Sequence, residues 1–268
     1  MLWEDLTADQ FAQAAKDTGG TCIFPLGVIE KHGSHLPLGT DMMIGRKIAE
    51  EAVKSEPAVV FPYYYFGQIN EARHTPGTIA IKPELEYALL DEVFKEIARN
   101  GFKKIVILSS HGGNAAFVDY FMQGSLYEQK DYVIYSIGFF NWLTEAQQAE
   151  IMEMLTLDQV LDHAGAIETS LIMSIRPELV HMEQVNPEGH KNLGRLNHLP
   201  GVAASISWYA NFPTHQAGDP SAATSSVGDK LILYAANNVA KAIKAIKEDQ
   251  AAQSLQDQFF TASAKCIL

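Results

Sequence analysis

The chain is poor in cysteine, with only Cys22 and Cys266 among 268 residues and no CxxC pair. That excludes a disulfide framework and a thiolate zinc site. It is also short of positive charge: 20 Lys and Arg stand against 32 Asp and Glu, a formal net charge of −12. A surface of that sign repels phosphate backbones and argues against nucleic acid as a partner. No apolar stretch reaches the roughly 18 residues of a membrane span. The opening Met1-Leu2-Trp3-Glu4-Asp5 has neither the basic nor the apolar region of a secretory signal. A cytoplasmic protein without membrane or nucleic-acid partners is the expectation. The GxSxG elbow of serine hydrolases is missing, as are repeats, low-complexity tracts and linkers.

What is present is an ordinary globular composition, 47% hydrophobic and 19% charged, in a length that suits one domain over residues 1–268. Short apolar runs alternate with helical periods. Residues 21–29 predict a strand, and residues 41–54 a helix with Ile44, Ile48, Ala49 and Ala52 on one face. A second strand is expected at 58–62. A helix is expected at 83–99, with Pro83 in its first turn, Leu85, Leu89, Val93 and Ile97 as its stripe, and Gly101 as its stop. Residues 104–109 are apolar on both faces, the signature of a buried central strand. A helix to about 129, a strand at 132–137 and helices at 165–175 and 225–247 follow. This order predicts a doubly wound α/β fold with a parallel sheet and a site beyond the carboxyl ends of its strands. The Pro-, Gly- and Asn-rich stretch 186–224 is too long for a plain connection and reads as a cover or a subunit contact.

Chemistry-bearing residues cluster in four segments. Glu30, His32, His35 and Asp41 offer four potential ligands within 12 residues, directly after the first strand. In extended chain Glu30 and His32 point to the same side. Carboxylate and imidazole together suit Zn, Mn or Fe. Asp41, at a helix start, has two oxygens with which to bridge two ions; alone it would read as an N-cap. The second segment, His111-Gly112-Gly113-Asn114, follows the central strand, with glycines that let the backbone approach a ligand. In the third, His163 and Glu168 flank a helix start and offer an acid/base and a carboxylate; an exposed helix start is the competing reading. The fourth, Arg73 to Ile79, is a turn entering a strand, with His74 and Thr78 as a substrate rim.

Together these segments resemble the creatininase family of creatinine amidohydrolase-like proteins. The likeness rests on Pro25 to Asp41, on His74 with Pro76-Gly77-Thr78, and on His111-Gly112-Gly113-Asn114. It continues with His163-Ala164-Gly165 leading to Glu168-Thr169-Ser170, and with Gly218 to Thr224. The resemblance implies a three-layer α/β/α sandwich with a mostly parallel central sheet. It implies two divalent metal ions and a homo-oligomer, commonly a hexamer. By motif position Glu30 and His111 would hold one ion and His32 the other, with Asp41 bridging. The namesake carries a further ligand glutamate where this chain has Gly113, so Glu168 is expected to supply that carboxylate. The namesake's tryptophans just ahead of the histidine matching His163 have no counterpart in Leu157-Asp158-Gln159-Val160-Leu161, which leaves Trp142 and Trp208 as candidate aromatic walls. Creatinine is therefore the secondary substrate, behind a small cyclic amide or a formamide. The expected reaction is metal-assisted hydrolysis, with His163 relaying a proton, Gly112 and Gly113 near the oxyanion, and His35 orienting a ligand. The rival readings are a metal-free binding protein on the same fold, a serine esterase, and other metal chemistry such as phosphoester cleavage.

Overall fold

The computed structural model describes residues 1–138, 141–156 and 163–265. Four parallel strands form one sheet: β1 (Thr21–Leu26), β2 (Val59–Val60), β3 (Lys104–Ser109) and β4 (Val133–Ile137), in the order β2-β1-β3-β4. Around it run α1 (Ala8–Asp17), α2 (Thr40–Ser55), α3 (Pro83–Arg99), α4 (Asn114–Gly124), α5 (Glu145–Met154), α6 (Ala166–Ile175), the short α7 (Ser207–Asn211), α8 (Ser225–Glu248) and α9 (Ala251–Lys265). Among the described residues no helix is long and apolar enough to cross a membrane.

The period of two along β1 divides the core in half. Cys22, Phe24 and Leu26 face α1, α3 and α4, whereas Ile23 faces α2, α6 and α8. Helices therefore cover both faces, and the fold is the expected three-layer α/β/α arrangement. β1 pairs with β3 in parallel register, Leu26 opposite Ser109. Because neighbouring parallel strands end on the same side, the Glu30 loop and the His111 turn leave the sheet side by side.

Several boundaries differ from expectation. The first strand stops at Leu26, because the chain then passes so close to α2 that a Cβ on Gly27 would lie 2.7 Å from the Met42 amide nitrogen. The second is only Val59–Val60, an edge strand, and residues 78–82 form none. The α3 stripe is rotated by one residue: Leu90, Phe94, Ile97 and Ala98 are buried, and Leu85 is 57% exposed. Phe94 decides this, wedging edge-on between Phe24 at 5.0 Å and Phe121 at 5.4 Å, ring centre to ring centre. Four helices have no counterpart in the sequence reading, α1, α5, α7 and α9, and two of them have legible starts: capping boxes at Thr7/Gln10 and Thr144/Gln147 open α1 and α5. The helix expected to reach 129 ends at Gly124, followed by one 3-10 turn at Ser125–Tyr127.

α6 carries Glu168 and is seated by α8 at unusually short range. A Cβ on Gly228 would lie 1.9 Å from the Ser170 carbonyl oxygen, a rigid backbone atom. Gly228→Ala is expected to push the two helices apart and destabilise the fold by about 2–3 kcal/mol. Denaturant unfolding measures this, and an unchanged midpoint would contradict the packing described.

Candidate metal centre

The loop after β1 folds back on itself, with the Glu30 amide donating to Leu38 O at 3.0 Å and the Leu36 amide to His32 O at 3.4 Å. This closure buries Glu30, His32 and His35 almost completely. Asp41 lies in the first turn of α2, but Gly39 holds the N-cap position, and the Asp41 carboxylate turns to the histidines instead. Its two oxygens part company: Oδ1 is 3.2 Å from His32 Nε2, and Oδ2 is 3.3 Å from His111 Nδ1. The helix N-terminus favours the negative charge there.

His111 follows β3 and turns Nδ1 to Glu30 Oε1 at 2.9 Å. Glu168 comes from the first turn of α6, where its Oε2 accepts from the Ala164 amide at 2.7 Å and lies 3.6 Å from His32 Nε2. Among the described residues three groupings of ligand atoms result: Glu30 with Asp41 and His111, His32 with His163 and Glu168, and Glu30 with His163 and His215. Glu30 Oε1 and Asp41 Oδ2 are buried without a hydrogen-bond partner, although both face His111. Buried carboxylate oxygens do not stay unsatisfied at small cost, and a divalent cation in this mixed oxygen and imidazole set would satisfy them. The residues present therefore fit a metal.

The electrostatics agree. Burial opposes charge on His32, yet Asp41, Glu168 and Glu30 push its pKa up to about 10. Burial likewise opposes charge on His111, and Glu30 and Asp41 overcome it, holding the imidazole well above its ordinary range. Burial would raise Glu30, but the nearby His111 and His163 imidazoles, with the hydrogen bond from His215, hold it well below the usual carboxylate range. The cavity is thus a strongly anionic field that calls for positive charge. His163 behaves differently: burial carries it well below its usual range, against the pull of Glu30, so its ring is neutral. Its Nε2 lies 3.2 Å from Lys31 O. His35 is lowered to about 4 by burial and then by His32, and it bonds Thr169 Oγ1 on α6 through Nε2 at 2.9 Å.

Other expected residues stand further out. His74 is exposed and staples loops together, its Nδ1 facing Glu71 O at 3.2 Å and its Nε2 facing Pro213 O at 3.0 Å. Thr78 pairs its hydroxyl with that of Thr75 at 2.7 Å. Gly113 has a steric reason to be glycine: a Cβ there would meet His111 Nε2 at 2.4 Å and Glu71 Oε1 at 2.9 Å. A side chain at that position would have to displace the His111 ring. Trp142 is buried in the core facing α8, whereas Trp208 stands edge-on to His163 at 5.6 Å. The stretch Leu157–Leu161 lies outside the described residues.

One site residue escaped sequence reasoning. His215, in the 186–224 stretch, is buried at 1% exposure with its Nε2 2.5 Å from Glu30 Oε2. It adopts φ +56°, a left-handed backbone that costs a non-glycine residue roughly 1 kcal/mol and often marks a functional position. The available signal was a histidine three residues ahead of the Gly218-Asp219-Pro220 motif.

Comparison with known proteins agrees with this geometry. The family model for Creatininase, described as creatinine amidohydrolase, matches residues 4–243. The creatinine amidohydrolase of Pseudomonas putida is 23% identical over 79% of this chain and 82% of its own length. The mycofactocin precursor peptide peptidase of Mycolicibacterium smegmatis is 27% identical over 85% of this chain and 86% of its own. A crystal structure of creatinine amidohydrolase shares the fold with a TM-score of 0.80 at 18% identity, covering 93% of this chain and 98% of that one, and a manganese form of creatininase gives 0.79. With the family model spanning most of its length and the motif residues gathered at one sheet edge, the chain belongs to the creatininase family.

Proposed function

We propose that this protein is a metal-dependent amidohydrolase that uses two divalent cations to open the C–N bond of a small cyclic amide or formamide. The observation that carries the reading is the split of Asp41. One oxygen shares a grouping with Glu30 Oε1 and His111 Nδ1, and the other approaches His32 Nε2, itself beside Glu168 Oε2. In this reading Glu30, Asp41 and His111 would hold one ion, and His32, Asp41 and Glu168 the other, with Glu168 supplying the carboxylate that Gly113 lacks. Zn, Mn or Fe, when bound, would supply Lewis acidity and lower the pKa of water at the site.

The chain's own groups do the rest. His163 donates its Nε2 proton to Lys31 O, which leaves Nδ1 as the basic nitrogen. A neutral imidazole so placed takes a proton from the attacking water and returns it to the leaving nitrogen, which departs poorly as an anion. The amides of Gly112 and Gly113, at the entry to α4, are the candidates for the developing oxyanion. His35 steadies the Glu30 loop against α6 through Thr169. His74 and Thr78 shape the rim. Creatinine is the second reading, favoured by the aromatic edge of Trp208 beside His163.

Metal analysis of protein purified without chelator tests the proposal. About two ions per chain are expected, with turnover of cyclic amides, formamides or creatinine lost on chelation and restored by Zn or Mn. No metal and no restored activity would leave a binding protein on this fold. Acid should also release the metal. His32 and His111 are raised groups, protonated in the metal-free protein below their pKa values, and each must lose its proton to bind. Affinity is therefore expected to fall by at least about tenfold for each pH unit lowered from about pH 8 to about pH 6. A titration showing pH-independent affinity would remove these imidazoles from the ligand set.

A further inference from the structure

His215 and Trp208 belong to neither ion's proposed ligand set, yet they act on a carboxylate that one set depends on. His215 Nε2 lies 2.5 Å from Glu30 Oε2, while the other oxygen of Glu30, Oε1, faces His111. Trp208 donates its indole Nε1–H to His215 Nδ1 at 2.8 Å. An indole nitrogen only donates, so Nδ1 must be the accepting nitrogen and the neutral ring carries its proton on Nε2. That proton points at Glu30 Oε2. The same tautomer argues against a cation among Glu30, His163 and His215, since Trp208 already occupies the one lone pair of the His215 ring.

The surroundings hold this arrangement still. The Gly33 amide, in the Glu30 loop, donates to His215 O at 3.2 Å. The Trp208 ring packs edge-on to His163 at 5.6 Å and against Phe212 at 5.2 Å. We propose that His215, locked in one tautomer by Trp208, is a positioning residue that grips Glu30 by Oε2 and presents Oε1 to the metal. The 186–224 segment is then an inner wall that sets metal affinity. A carboxylate held on one oxygen cannot swing, so less order is lost when the cation binds.

The inference rests on the metal reading above for its affinity arm but not for its tautomer arm. Imidazole 15N NMR of the metal-free protein reads the tautomer, and competition with a chromophoric chelator reads the dissociation constant for Zn2+. In the parent His215 should show the Nε2–H form. Trp208→Phe keeps a ring beside His163 but removes the donor, and should mix the tautomers and weaken Zn2+ binding about tenfold. His215→Ala should weaken it by about 10–100-fold, and His215→Gln, which restores an N–H donor, should recover most of that loss. Thermal unfolding of each metal-free variant separates misfolding from lost affinity. An Nδ1–H ring in the parent, or parent-like Zn2+ affinity in folded His215→Ala, would overturn the proposal. A parent that binds no Zn2+ would sink the amidohydrolase reading, and the tautomer would still decide the role of His215.

Discussion

His111→Ala is expected to cost the protein at least one of the two proposed cations and nearly all of its turnover. Nδ1 of this residue stands 2.9 Å from Glu30 Oε1 and 3.3 Å from Asp41 Oδ2, so one truncation removes the only nitrogen in that ligand grouping. It also strips two buried carboxylates of one of their positive partners, leaving His32, 3.2 Å from Asp41 Oδ1 and 3.8 Å from Glu30 Oε1, to face both. A fall in kcat/KM of about a thousandfold or more, roughly 4 kcal/mol of lost transition-state stabilisation, is the expected scale. Glu30→Gln should follow the same course, since it keeps the shape and removes the charge. Metal content and turnover are measured together on each variant. Full metal content with full activity in His111→Ala would place the reactive centre elsewhere.

His163→Gln should give the second large effect, with a different signature. Its imidazole is neutral by burial and anchored on Lys31 O, the state a proton carrier needs, and it lies beside both the Glu30 and the His32 groupings. Removing it is expected to lower kcat by about 10²–10⁴-fold while metal content and KM change little. That separation of chemistry from binding is the test. If the variant loses metal instead, His163 is a ligand of the ion shared with His32 and Glu168, and another group must move the proton.

Much of the fold was legible because its signals are local. The doubly apolar run at 104–109 marked β3, the central strand, and Pro83 and Gly101 bracketed α3. Where prediction failed, long-range packing had decided. The face of α3 was set by Phe94 finding room between Phe24 and Phe121, which lie far from it in sequence. The Asp41 ambiguity had the same origin. From sequence an aspartate at a helix start reads as a cap, and only the arrival of His32 and His111 on either side turns its two oxygens to two imidazoles.

His215 shows the limit most clearly. The one signal near it in sequence is the Gly218-Asp219-Pro220 motif three residues on, which does not name its partners: Glu30 is 185 residues away, and Trp208 sits on a five-residue helix. What the sequence determined by itself is the inventory: carboxylates and imidazoles at the ends of two apolar strands, two glycines after His111, and a net negative chain without a CxxC pair or a GxSxG elbow. What only the tertiary structure decided is which atoms meet. Parallel pairing of β1 with β3 puts the two motif loops at one sheet edge, and the close α6–α8 crossing brings Glu168 to His32. The physical reason is that ligand identity is written in single residues, whereas ligand geometry depends on distances between segments that only the packed core brings together.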